Sequence, residues 1–277
     1  MSKIGRRVFP YLHIFPYNPM VDALPPKLAI LLADCTWEKD DLGWSEATVF
    51  RLVTPEGTVW YLKTAVGYHT AELEREAEVM GWLDGKLSVP RRLFFERTGE
   101  KVFLLMTAVP GMDFTHFNDG PDEVKETAVH LLATGLRQIH SLPITGCPFD
   151  QRLAMKMETA HQHMLAGQVD EEDFDSTYSI TEAYQLLLAG RPVSEDLVFT
   201  HGDYCLPNIV VADGRVSGFI DLGRAGVADR YQDLAICWRS TNHNFGPGWG
   251  DKFLAAYGAA QPDAAKMDFY RPLDEFF

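Results

Sequence analysis

Three side chains in the second half of this sequence have the types and spacing to do chemistry together. In His201-Gly202-Asp203-Tyr204-Cys205-Leu206-Pro207-Asn208 a carboxylate and an amide stand as D-x-x-x-x-N, and Ile220-Asp221-Leu222-Gly223 follows with a second carboxylate. One carboxylate that takes or orients a hydroxyl proton, with an amide and another carboxylate offering hard oxygens to Mg²⁺, is what transfer of a phosphoryl group to an alcohol requires. That reaction leaves protein groups little covalent work; it needs an oriented hydroxyl and positive charge against the phosphates. Each piece alone is weak, since H-G-D suits an Asx-capped turn and I-D-L-G is nearly uninformative. In this order, with a hairpin of suitable length between them, they point to phosphoryl transfer at Asp203.

The elements that must position these residues follow from periodicity. Ile209 to Val211 and Val216 to Ile220 flank Asp213-Gly214, a two-residue hairpin signal that brings Asn208 and Asp221 to one rim. Earlier, Ala47 to Val53 and Val59 to Lys63 form a hairpin across Thr54-Pro55-Glu56-Gly57, and Arg92 to Glu96 with Lys101 to Ala108 form another. Between them Thr70 can cap a helix through about Leu83. From Pro121, suited to a first helical position, Val124, Ala128, Leu131, Leu132, Leu136 and Ile139 make an apolar stripe that Ser141-Leu142-Pro143 ends. Further helices are expected at about 150–166, 176–190, 229–240 and 249–258. The chain therefore divides into an irregular arm (1–26), a small strand-rich lobe (27–108) and a larger helical lobe (109–277), a bilobal α+β architecture.

Composition narrows the partners. The chain has 277 residues, 46% hydrophobic and 23% charged, as expected of a globular enzyme, but its formal net charge is −14. That balance disfavours nucleic acid and anionic membranes as partners; it suits a polycation, or serves solubility alone. The early Pro10, Pro16 and Pro19 interrupt any signal-peptide core, no apolar run is long enough to span a bilayer, and the four cysteines are widely spaced. A cytoplasmic protein with reduced thiols is expected.

The D-x-x-x-x-N and D-L-G segments resemble the catalytic loop and D-F-G of protein kinases, and Lys63 ends an apolar strand as a kinase phosphate-binding lysine does. A protein-kinase glycine loop is absent, although Ser45 and its neighbouring amides can cap a phosphate. Taken with V-W-Y-L-K, L-E-R-E, L-L-M-T, H-G-D-x-C-L-P-N, F-I-D-L-G-R-A-G-x-A-D-R-Y-x-D-L-A and the terminal L-D-E-F-F, the chain resembles the aminoglycoside phosphotransferases, most closely the 3′-phosphotransferases, from about Cys35 to Phe277. The resemblance implies a kinase-like fold, ATP or GTP with Mg²⁺, and transfer to the 3′-hydroxyl of kanamycin- or neomycin-like antibiotics by a monomer or weak homodimer. It implies Asp203 as the catalytic carboxylate and Asn208 and Asp221 as the metal ligands. Lys63 binds phosphate and pairs with Glu76, Tyr61 stacks on the adenine, and the backbones of Thr107 and Val109 meet its edge. Asp170, Asp173, Arg224, Asp274, Glu275 and the terminal Phe277 fall to the aminoglycoside. Asp233 is either a helix cap or a brace for the catalytic loop. The alternatives are a kinase of another small hydroxylated cation and a nucleotide-binding pseudoenzyme, the latter expected to lack Asp203, Asn208, Asp221 or Lys63.

Overall fold

The computed structural model describes residues 24–40, 48–169 and 178–277. They form two compact units. The first takes in the chain through Ala77 together with Arg91–Ala108; the second is Glu78–Pro90 with Val109–Phe277.

The first unit is built on a five-stranded antiparallel sheet. Its strands are β1 (Thr36–Asp40), β2 (Thr48–Val53), β3 (Val59–Val66), β4 (Arg92–Thr98) and β5 (Lys101–Thr107), in the order β1-β2-β3-β5-β4. The register places Phe50 opposite Leu62 and Leu62 opposite Leu105. Because side chains alternate across a strand, these residues share one face, which Leu24, Leu28 and Leu32 cover. Leu28 belongs to the short helix α1 (Pro26–Leu31), which has proline at its start. Leu24, expected in the irregular arm, is thus part of the core, held there by its own apolar side chain.

Helix α2 (His69–Leu83) buries Leu73, Glu76, Ala77, Met80 and Leu83. Spaced three and four apart, these make one helix face, so Glu76 stands in the apolar stripe. Arg97 on β4 ties the helix down, donating to Glu74 at 2.6 Å and to Thr70 at 3.0 Å.

The residues after Ala77, expected in the small lobe, cluster with the second unit for a visible reason. Trp82 stacks on Phe199 with centroids 5.0 Å apart and meets Phe149 edge-on. Ser88 then accepts from Phe219 N–H at 3.0 Å through its carbonyl.

The second unit holds helices α3 (Asp122–His140), α4 (Leu153–Ala166), α5 (Ile180–Gly190), α6 (Tyr231–Phe245), α7 (Trp249–Tyr257) and α8 (Ala264–Asp274). A three-stranded sheet runs β6-β8-β9, from β6 (Met112–Asp113), β8 (Ile209–Ala212) and β9 (Arg215–Phe219). A separate antiparallel pair joins β7 (Leu197–Thr200) to β10 (Gly226–Asp229). The β8–β9 hairpin has the expected turn: Asp213 and Gly214 have φ of 51° and 72°, the left-handed pair such a loop requires.

Several boundaries differ from the sequence reading. Thr70, expected to cap α2, lies inside it, since the helix already begins at His69. Pro121 is the N-cap of α3, not its first residue, and its extended ψ of 163° marks the step before the helix. The helices expected from about 150 and 176 begin at Leu153 and Ile180, and the one expected over 229–240 runs Tyr231–Phe245, because Gly226–Asp229 is used as a strand. Helices α1 and α8 and the strands β1, β6, β7 and β10 escaped the reading; α1 and the strands are short, and α8 carries Pro272 inside it. Among the described residues no helix is long and apolar enough to cross a membrane.

Candidate active site

In the first unit, β3 sets Tyr61 and Lys63 two positions apart and so on one face of the sheet, opposite to Leu62. The Lys63 ammonium donates to both carboxylate oxygens of Glu76, each at 2.9 Å. Burial explains the pairing. The Glu76 side chain is only 4% exposed and Lys63 14%, and a carboxylate placed on the apolar stripe of α2 needs a cation to offset its lost hydration. The pair holds a lysine in a defined place on the sheet surface, where it can meet a phosphate oxygen. The Thr107 N–H is engaged by the Arg91 carbonyl at 3.0 Å, which leaves the Thr107 carbonyl as its contribution to any ligand edge. Val109 belongs to the second unit, where its methyl carbon packs on Gly218.

In the second unit, β7 delivers the chain into His201-Gly202-Asp203. Gly202 has φ +85°, and a Cβ there would lie 2.0 Å from the Arg224 carbonyl oxygen, so only glycine lets the loop pass so close to the segment after Asp221. Tyr204 points away from the loop into the core. It is fully buried, donates to the Leu132 carbonyl of α3 at 2.8 Å, and lies against Phe219. Its bulk anchors the loop from below, and burial pushes its phenol well up from the ordinary range. On the far side, the Leu206 N–H donates to Ser240 on α6 at 3.0 Å.

Asn208 is at the end of a 3-10 turn, Leu206–Asn208. Its amide nitrogen donates to the Asp203 carboxylate at 2.8 Å and to the Asp203 carbonyl at 3.1 Å. With the nitrogen side so used, the amide oxygen is the end that can meet a metal. The Asn208 carbonyl accepts from Ile220 N–H at 3.0 Å, tying the catalytic loop to the residue before Asp221. Asp221 has φ +62°, one of two non-glycine residues with positive φ among the described residues, a region that aspartate enters more readily than most side chains. An amide oxygen and a carboxylate are hard donors that suit Mg²⁺, which binds through few protein groups and completes its shell with water and phosphate. Among the described residues no cluster of three or more His, Cys, Asp or Glu forms a protein-only metal cage.

Beneath the loop, Asp233 is wholly buried and takes His201 N–H and Gly202 N–H, each at 2.8 Å. It is a brace. The N-cap of α6 is Arg230, which offers no side-chain cap, and Asp229 just before it accepts from Tyr231 N–H at 3.1 Å. His140, at the end of α3, contacts Asp233 at 3.0 Å, and Gln232 donates to the Gly202 carbonyl at 3.2 Å. Cys205 is half-buried, two residues from Asp203; the lost hydration of its thiol, with the Asp203 charge adding to it, pushes the thiol well up from its ordinary range.

The chain end packs against this site. Phe276 is fully buried and its carbonyl meets His163 Nδ1 at 2.8 Å. The Phe277 ring lies edge-on to His163, beneath the Lys156 ammonium at 4.4 Å from its centroid, and 5.7 Å from the Arg224 guanidinium. Asp274 is buried and ion-paired to Arg224 at 3.3 Å and to Arg239, which also pairs with Glu275. Burial pushes the Asp274 carboxyl up, opposed by Arg224 and Arg239. Arg239 and His140 escaped the sequence reading: one arginine in a helix and one histidine ending another carry no local signal of their partners. Ser45, Asp170 and Asp173 lie outside the described residues.

The chain is similar to known proteins in sequence and fold. A profile of the phosphotransferase enzyme family matches residues 36–271. An aminoglycoside 3′-phosphotransferase of Niallia circulans is 40% identical over 256 residues, 91% of this chain and 97% of its own. The crystal structure of an aminoglycoside-3′-phosphotransferase of type VIII superposes with a TM-score of 0.84 at 33% identity, covering 94% of this chain and all of that one. The structure of aminoglycoside phosphotransferase APH(3″)-Id from Streptomyces rimosus in complex with ADP and streptomycin gives 0.77 at 28% identity, over 93% and 98%. Likeness that runs the length of both chains, in sequence and fold alike, is common descent and not the chance recurrence of one loop: the chain belongs to the phosphotransferase enzyme family and is a phosphotransferase of kinase-like fold.

Proposed function

We propose that this enzyme transfers the γ-phosphoryl group of ATP or GTP to the 3′-hydroxyl of kanamycin- and neomycin-like aminoglycosides, inactivating them in the cytosol where the nucleotide is made. The observation that carries the reading is the 3′-phosphotransferase of Niallia circulans, matched over 97% of its own length. Residues 27–108 serve as the nucleotide lobe and 109–277 as the catalytic and substrate lobe.

In this reading Asp203 receives the proton of the sugar hydroxyl as its oxygen bonds to the γ-phosphorus, while the bridging oxygen leaves with the nucleoside diphosphate. The amide nitrogen of Asn208 holds the carboxylate of Asp203 in its acceptor orientation. The Lys63 ammonium, set by Glu76, meets the α- and β-phosphates; Tyr61 stacks on the base; Ser45, the Thr107 carbonyl and the Val109 backbone complete the nucleotide contacts. Mg²⁺, when bound with the nucleotide, neutralises phosphate charge, and the oxygens of Asn208 and Asp221 are its protein ligands. Arg224 stands beside the acceptor hydroxyl. Asp170, Asp173, Glu275 and Phe277 line the place of the ammonium groups, for which a carboxylate is the natural acceptor, and Asp274 acts there through its ion pairs with Arg224 and Arg239.

A coupled assay of nucleotide consumption tests this reading. Kanamycin should be turned over and an otherwise similar 3′-deoxy aminoglycoside should not. Equal turnover of both would overturn the 3′ assignment, and turnover of neither would overturn the substrate class.

A further inference from the structure

Asp233 accepts three donors with a side chain that is fully buried: His201 N–H, Gly202 N–H and the His140 ring. A carboxylate serving three donors is acceptor-only, so the hydrogen of His140 has to lie on Nε2. On the other nitrogen, Nδ1, the ring meets the Tyr257 hydroxyl of α7 at 2.8 Å. Nδ1 is then the acceptor and Tyr257 the donor. The Tyr257 oxygen in turn accepts from Arg230 Nη1 at 2.9 Å. Arg230 is clamped by Asp196, with Nε to Oδ2 at 2.6 Å and Nη2 to Oδ1 at 3.1 Å. In this arrangement the ring hydrogen of His140 and the hydroxyl hydrogen of Tyr257 both have acceptors. Moving the ring hydrogen to Nδ1 would set the Nε2 lone pair against the Asp233 carboxylate.

From this geometry we infer that Tyr257 is a positioning residue for phosphoryl transfer: its hydroxyl, donating to Nδ1, holds the His140 ring whose Nε2–H supports the Asp233 brace under the backbone that carries Asp203. The contact is long in sequence, His140 and Tyr257 being 117 residues apart, and it reaches the His201 and Gly202 N–H groups just before Asp203 through His140 and Asp233. Tyr257 touches neither Asp203 nor its neighbours. Its hydroxyl is spent entirely on His140 and Arg230 among the described residues.

The experiment is a pair of readouts on Tyr257→Phe, taking kanamycin turnover from the reading above. Nitrogen-15 NMR of the histidine rings should show the Nε2–H tautomer at His140 with a hydrogen-bonded Nδ1 in the unsubstituted enzyme, and in Tyr257→Phe the same tautomer with the Nδ1 resonance moved to that of an unbonded ring nitrogen. Steady-state kinetics should show kcat lowered about three- to tenfold, the rate equivalent of one neutral hydrogen bond, with KM for nucleotide and for kanamycin unchanged. In a His140→Gln background, where there is no imidazole for Tyr257 to hold, Tyr257→Phe should leave kcat where it was. An unaltered His140 spectrum in Tyr257→Phe, or an equal loss of kcat in both backgrounds, would overturn the assignment. If the unsubstituted enzyme ignores kanamycin, the substrate reading fails while the His140 spectrum still decides this one.

Discussion

In the proposed reaction Asp203 is the base, and its neighbours remove its freedom. Asn208 donates to one carboxylate oxygen and to its backbone carbonyl, so the acid is oriented before any substrate arrives. A positioned general base contributes roughly 10²- to 10⁴-fold to such a transfer. Asp203→Ala should therefore lower kcat by about that factor while nucleotide affinity, measured by calorimetry, stays unchanged. Near-normal turnover in that variant would remove Asp203 from the chemistry. These residues were legible from the chain because the spacing of Asp203, Asn208 and Asp221 lies within one short stretch. Glu76 was legible as a carboxylate on an acidic helix near a lysine, but Glu72 and Glu74 stand close by in sequence; burial on the apolar face of α2 is what selects Glu76.

At the scale of elements, the site depends on two segments passing closer than side chains allow. The Gly202 backbone runs against the Arg224 carbonyl, and an added Cβ would sit 2.0 Å from that oxygen. Gly214, at the tip of the β8–β9 hairpin, shares the positive φ but has open space around it. The two therefore separate backbone strain from collision. Gly214→Ala should cost only the left-handed penalty, about 1–2 kcal/mol, whereas Gly202→Ala should cost clearly more and also lower kcat. Urea melts of both variants check the difference; equal losses would show that the close approach relaxes at no cost. Helices α2 and α3 were readable from their stripes. Strands β7 and β10 were not, since four residues are too few to show a period and each needs the other to exist as a strand.

For the molecule as a whole, the charge of −14 acts over distance. A polycationic substrate is drawn toward such a protein and an anionic nucleotide is not, and salt weakens only the interactions it screens. Screening shortens to ~10 Å at 0.1 M salt and ~3 Å at 1 M, so KM for kanamycin should rise several-fold between about 0.05 and about 0.5 M NaCl, with kcat little changed. A flat salt profile for kanamycin would confine the charge to a solubility role. The two units also divide the sequence differently from its apparent lobes: Glu78–Pro90 follows a helix of the first unit yet packs with the second, through Trp82 on Phe199 and Ser88 on Phe219.

The sequence by itself determined the class of fold and the longer helices, and it picked out the proposed reaction centre, because each is written in residues close together along the chain. Spacing within a loop and the three-to-four period of a helix survive without knowledge of anything distant. Only the tertiary structure decided which groups hold that centre in place. Asp233 is a brace and not a cap because His201, Gly202 and His140, the last 93 residues away, converge on it. Arg239 and Arg224 neutralise Asp274 because α6 and the segment after Asp221 meet the chain end. Tyr204, adjacent to Asp203, faces the core because α3 offers a carbonyl there. Partner choice of this kind is settled by burial and by the need to satisfy every buried polar group, and those conditions exist only once the chain has folded.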